Sequence, residues 1–202
     1  MSIASLLSHH GISVPRYVSV DGRIVFDGVT ASPAGLAHHT LGQVTAVRAH
    51  TFHDGFDPAT PIHADPWWSK PGAVDSHVAA MARTFPGFKY VTSTDVTAPT
   101  WRGRIDTGRG SFIVEAALRP DGGLPSLKVL GPKLGAFSSG RWVPSPHLYA
   151  NGNLCIADQS DWNSEDHDVS VAVAWAAHWL AAYTEWRMSR RWPADGTTAH
   201  AA

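Results

Sequence analysis

The stretch SPHLYANGNLCIADQSDW, Ser145 to Trp162, holds Cys155, the only cysteine in 202 residues. A lone thiol between Leu154 and Ile156 suits a small buried hydrophobe. It suits a nucleophile or acyl carrier as well, because a thiolate attacks carbonyls and leaves readily. Carrier chemistry needs the cysteine on a rigid loop, with hydrogen-bond donors near the oxygen on which charge develops. His147, Asn151 and Asn153 are candidate donors, and Gly152 frees the backbone just ahead of the thiol. Neither of the local protease signatures C-G-S-C-W and Q-A-C-R-G surrounds it. Taken alone, these residues leave both readings of Cys155 open.

Downstream, Val171, Trp175, Trp179, Tyr183 and Trp186 recur in steps of 4, 4, 4 and 3. They predict a helix over about 168–188 whose apolar stripe is core, ended by Trp192-Pro193. Glu165, Asp166 and Asp168 sit where acids cap a helix start. Asp158 and Asp161, nearer the cysteine, are candidates to orient or deprotonate an incoming amine. Upstream, Val74, Val78, Met81, Ala82 and Phe85 predict a short helix with Asp75 as its cap and Pro86-Gly87 as its stop. FKYVTST, TWRGRI, SFIVEAAL and LKVL, separated by turn-rich segments, then predict a four-stranded antiparallel meander. Residues 131–163 read as a long irregular loop carrying the cysteine.

The N-terminal part is less regular. Tyr17–Phe26 reads as a hairpin about Asp21-Gly22, and Gly42–Phe52 as a further strand. Residues 53–72, rich in Pro, Asp and Gly, read as a linker or irregular crossing. This divides the chain into an N-terminal β-rich extension (1–72), a domain (73–193) and a flexible tail (194–202). Net charge −1 and pI near 6.9 argue against nucleic acid or an anionic membrane as the main partner. No apolar run is long enough to span a bilayer, and the opening MSIASLLSHHG does not read as a signal peptide. One cysteine fits a reducing, cytoplasmic compartment. The histidine clusters, His38 with His39 and His50, His53, Asp54 and His63, match no ligand spacing, so no metal site is expected.

Pro146, Gly152, Leu154, Cys155, Ile156 and Trp162 resemble the active-site loop of ubiquitin-conjugating (UBC-like) enzymes. In that family His-Pro-Asn precedes a Gly-x-hydrophobic-Cys-hydrophobic segment, and a tryptophan follows. Trp101, Gly103, Ile105, Gly110 and Phe112 resemble its W-x-G-x-I strand pair. His147–Ile156, with Trp179-Leu180, Tyr183, Trp186 and Trp192-Pro193, is closest to the prokaryotic branch. The resemblance spans Val74 to Pro193 and implies an α+β, UBC-like fold: helix, meander, cysteine loop, helix.

It also implies a carrier reaction. A partner activating enzyme uses ATP to activate the C-terminal glycine of a ubiquitin-like or other modifier. Cys155 takes the acyl group as a thioester and delivers it to a target amine, with no cofactor on this chain. In bacteria such proteins are associated with anti-phage defence. The sequence departs from the family at two positions: Ser145 replaces the motif histidine, and His147 stands where the motif asparagine would. A neutral His147 ring could donate to an oxyanion or exchange a proton, or the residue could only brace the loop. Asn151 and Asn153 are the fallback donors, with turn formation as their other role. The competing readings are an inactive binding module of the same fold and, behind it, a cysteine hydrolase with His147 as base.

Overall fold

The computed structural model describes residues 15–31, 37–52, 66–91, 97–193 and 196–197. Helix α1 spans Asp75–Thr84 and α2 spans Val169–Ser189. In α1, Ala80, Met81 and Thr84 are buried, and the following Phe85 donates its N–H to the Met81 carbonyl. Asp75 does not cap it. Val74 holds the cap position and Asp75 is the first helical residue, where its charge favours the dipole. Asp168 does cap α2, accepting the Ser170 N–H at 2.8 Å, while Glu165 and Asp166 lie ahead of the helix. The far end closes earlier than Trp192-Pro193: Arg190 takes a left-handed cap at φ 60°.

The meander is β7 (Lys89–Val91), β8 (Thr100–Asp106), β9 (Ser111–Ala117) and β10 (Ser126–Gly131), paired antiparallel in the order β10-β9-β8-β7. Alternation puts Trp101, Ile105, Phe112, Val114, Ala116 and Leu127 inward. Gly103 gives room to the Phe88 ring, which any Cβ there would strike. Helix α2 packs on β9 and β10, with Phe112 edge-on to Tyr183.

A second sheet forms from the extension. It contains β1 (Tyr17–Ser19), β2 (Ile24–Val25), β3 (Thr30–Ala31), β4 (Ala37–His39) and β5 (Gly42–Ala46), in the order β2-β1-β5-β4-β3. The expected Gly42–Phe52 strand is broken. β5 ends at Ala46, and β6 (His50–Thr51) is separate, because the intervening Arg48 carbonyl turns to meet the Trp175 indole N–H at 3.0 Å and His50 Nδ1 at 2.9 Å. β1 and β2 lie on α2, and the Asp106 N–H donates to Asp21 O at 2.8 Å. Val18, Val47 and Phe52 join the cluster built from Trp101, Phe112 and Trp175, so extension and meander share one core. With cover on both sides, α2 buries fifteen of its 21 residues and is a central helix rather than a striped one.

Two elements go beyond the expected pattern. The segment read as irregular contains a hairpin, β11 (Ala136–Ser138) and β12 (Arg141–Val143), and of the tail read as flexible, β13 (Gly196–Thr197) pairs with β6. Backbone pairing supplies what neither segment's composition advertises. Among the described residues no helix is long and apolar enough to cross a membrane.

Against α2, His50 Nε2 and His178 Nδ1 lie 3.1 Å apart, both buried. Burial is the main force pushing His50 down to about 4, against an opposing pull from the Arg48 carbonyl and Asp161. Burial also holds His178 well below its ordinary value, helped by His50 and Arg16. Both are therefore neutral in the fold and bind protons more readily when unfolded. Stability is complete above the unfolded value of 6.5 and falls as pH drops toward about 4. The slope is at most about 1.4 kcal/mol per pH unit for each histidine. Urea unfolding across that window should show this loss, and the double variant His50→Phe, His178→Leu should flatten it. An equal slope in the variant would assign the acid sensitivity elsewhere.

Candidate functional site

The cysteine loop is held from three directions. Leu154 N–H donates to Leu127 O in β10 at 2.7 Å, and Leu148 and Lys128 form bridges with Leu154 and Asn153. Cys155 N–H donates to His147 O at 3.0 Å, and the Trp179 indole N–H donates to the same oxygen at 3.0 Å. Asp158 N–H donates to Thr51 O at 2.8 Å, while Asp161 Oδ2 accepts Thr51 N–H at 2.7 Å. Sheet, central helix and extension thus converge on the segment from His147 to Asp161 around the thiol. Cys155 itself is only 1% exposed.

His147 adopts φ 51°, the left-handed region unusual for a residue with a side chain. That bend lets its carbonyl face both N–H donors. Its half-buried ring lies between Phe52, 5.9 Å away by centroid, and Trp192, 4.8 Å away. Both neighbours also reach α2, Phe52 at His178 and Trp192 at Trp179.

The other candidates are placed as follows. Asn151 Oδ1 accepts the Asn153 N–H at 3.0 Å, closing a turn in which Gly152 takes φ 85° and donates to Tyr149 O. Asn153 stays on the loop one residue ahead of Leu154, its carbonyl accepting Tyr149 N–H. Asp158 caps a short 3-10 turn, taking the Ser160 N–H at 2.8 Å and its hydroxyl at 2.7 Å. Asp161 is committed to β6. Trp162 donates its indole N–H to Gly122 O at 3.0 Å and stands edge-on to Trp175.

The sequence did not single out Phe52 or the His50–His178 pair as neighbours of this loop. No short-range pattern marks them, because their partners lie about a hundred residues or more away. Of the histidine clusters, His38 and His39 sit in β4 and His50 is buried, while His53, Asp54 and His63 fall outside the described residues. Among the described residues no group of three or more His, Cys, Asp or Glu could hold a metal ion.

A separate cavity of about 440 Å³ opens between Trp67, His77 of α1, the Arg119–Gly123 turn and Trp162. Arg119 closes its floor through a two-pronged pair to Asp121, at 3.1 and 2.7 Å, which holds the Asp121 carboxyl below its ordinary value. None of Cys155, His147, Asn151, Asn153 or Asp158 lines it.

A family model described as "Type II CBASS E2 protein" matches residues 77–200, more than half of the chain. The chain belongs to that family. It is therefore an E2-like protein of bacterial anti-phage defence, with conjugation-type chemistry and other CBASS proteins as its setting. No curated protein and no solved structure matches it significantly. The matched span begins within α1, contains the meander, the cysteine loop and α2, and leaves the N-terminal sheet outside.

In this E2-like protein the rings of Phe52 and Trp192 clamp the residue whose carbonyl anchors Cys155. Phe52→Ala loosens that clamp without touching the loop's own hydrogen bonds. Alkylation of Cys155 by iodoacetamide should accelerate several-fold in this variant, with the fold retained by circular dichroism. An unchanged rate would separate the aromatic clamp from thiol access.

Proposed function

We propose that this E2-like protein has a UBC-like fold and carries an acyl group as a thioester on Cys155. The observation that supports it is the anchoring of Cys155 through the His147 carbonyl, on a loop inside the family-matched span. In the proposed step the Cys155 thiolate attacks the thioester carbonyl of a loaded activating enzyme. The new carbon–sulfur bond forms at Cys155, the old one breaks, and the activating enzyme's thiolate leaves. A target amine then attacks, an amide forms, Cys155 leaves as thiolate, and the amine's proton passes to solvent or a nearby base. The partners are that activating enzyme, which alone consumes ATP, a ubiquitin-like or other modifier, and the target. This chain needs neither cofactor nor metal, and its setting is the cytoplasm.

Within this reading His147 is first a brace, since its carbonyl already serves two donors. Its ring remains the candidate donor or proton exchanger. Asn151 Oδ1 is committed to the turn, and the side-chain amides of Asn151 and Asn153 are both candidate donors. Asp158 is committed to its cap, which weakens its claim as a base.

One observation favours a second reading, a binding module of the same fold: at 1% exposure the thiol is shielded from other proteins. Both readings meet the same experiment. The protein is incubated with ATP and the purified proteins encoded beside it, then run on a non-reducing gel. The carrier reading expects an adduct that dithiothreitol cleaves and Cys155→Ala abolishes. Association without any such adduct is the result the binding-module reading expects. Cleavage of a modifier fusion without ATP would instead indicate a hydrolase.

A further inference from the structure

The hairpin β11–β12 is well built yet bears its aromatic residues outward. Phe137 and Trp142 are directly paired across the two strands, their rings edge-on at 5.2 Å, and Phe137 is 68% exposed. Val143 is exposed on the same hairpin, and Met188, near the end of α2, is 60% exposed. The hairpin is fixed in place rather than loose. Tyr183 donates its hydroxyl to Gly135 O and accepts the Gly135 N–H, both at 3.0 Å. Arg190 donates to Phe137 O at 3.0 Å from just past the end of α2. The Trp142 indole lies so close over Gly135 that a Cβ there would overlap it. Such an aromatic pair is already ordered before any partner arrives, which lowers the entropy cost of binding.

Charge around the pair is one-sided. Residues 131–144 contain Lys133 and Arg141 and no acid; residues 186–193 contain Arg187, Arg190 and Arg191 and no acid. The nearest carboxylate in sequence, Glu185, is already paired with Arg109 at 2.8 Å. A chain of net charge −1 thus carries five cations and no acid in residues 131–144 and 186–193, the segments that hold the exposed Phe137, Trp142, Val143 and Met188. Rigid aromatics with arginine are the composition of protein-binding hot spots. The position also matters. Tyr183, which holds the hairpin, stacks on Trp179 at 5.7 Å, and Trp179 holds the His147 carbonyl that anchors Cys155. The surface therefore sits about one helical turn from the cysteine loop's anchor.

We infer that the β11–β12 hairpin and the end of α2 form the docking surface for a protein partner of the Cys155 reaction, one presenting acidic residues around an apolar side chain. The reaction partner is taken from the carrier reading, but binding at this surface does not need the thioester. A protein surface fits better than a bilayer, because Trp142 is already covered on one side by Lys133 and Gly135 and, on the hairpin, only Phe137 protrudes far.

The test uses full-length Cys155→Ala protein, so acyl transfer plays no part. Its binding to each purified protein encoded in the same defence operon is measured by calorimetry at low and raised salt. One of them should bind, more weakly as salt rises. Phe137→Ser, and separately Arg141→Glu with Arg187→Glu, should each weaken that binding about tenfold or more. All the substituted side chains are exposed, and unchanged thermal unfolding checks the fold. The inference is overturned if no operon protein binds, or if binding ignores both variants. It is overturned equally if the variants' losses appear only with phosphatidylserine vesicles or single-stranded DNA as probe. Failure here with the Cys155 adduct intact in wild-type protein would leave the carrier reading standing, whereas loss of the adduct alone would leave this surface standing.

Discussion

One carbonyl oxygen, that of His147, accepts two N–H donors, from Cys155 and from the Trp179 indole, and the site depends on it. The backbone reaches this position only through a left-handed residue that is not glycine, a conformation costing roughly 1 kcal/mol or more. It persists because the surroundings fix it several times over. Two hydrogen bonds hold the carbonyl and two aromatic rings hold the imidazole. The same oxygen couples the thiol-bearing loop to the central helix, so any shift of α2 at Trp179 is felt at Cys155.

That coupling explains why the extension is more than an appendage. A helix apolar on every side needs cover on every side, and the meander supplies only one face. β1, β2 and the segment through Phe52 supply the other. Burying His50 and His178 in that second face would be expensive for separate imidazoles. Paired with each other and with the Arg48 carbonyl, both ring nitrogens of His50 and Nδ1 of His178 are in hydrogen-bond contact while both rings stay neutral.

Local pattern made much of this readable. Period-two alternation in TWRGRI and SFIVEAAL, and the tryptophan spacing after Asp168, declare their elements because each element's own residues carry the signal. The likeness of PHLYANGNLCI to a known cysteine loop pointed to the family before the fold was seen. What stayed hidden depends on distant partners. β11–β12 is three residues a side, stabilised by Tyr183 and Arg190 across some fifty residues of sequence, and no periodicity fits into so few positions. β6 looks like the continuation of β5 until the Trp175 indole claims the Arg48 carbonyl. Asn151 and Asp158 were legible as polar groups near a thiol. Their commitment to a turn and a cap is decided by one hydrogen bond at Asn151 and two at Asp158, which spacing alone does not reveal.

The acyl transfer proposed for a thiol only 1% exposed would need its surroundings to yield, and two sets of contacts flank its loop. Breaking both bonds to the His147 carbonyl forfeits roughly 1 kcal/mol for each, and more if a donor is left dry. On the other flank, the Thr51–Asp161 bond is solvent-exposed, so water replaces it at little net loss. Besides the Asp158 N–H bond to Thr51 O, the contacts there, of Phe52 and Trp192 with the His147 ring, are dispersion contacts that a partner's side chain could exchange for its own. The cheaper opening therefore leaves the loop anchored and moves the aromatic clamp. It keeps the His147 carbonyl, and with it the register of the loop, unchanged.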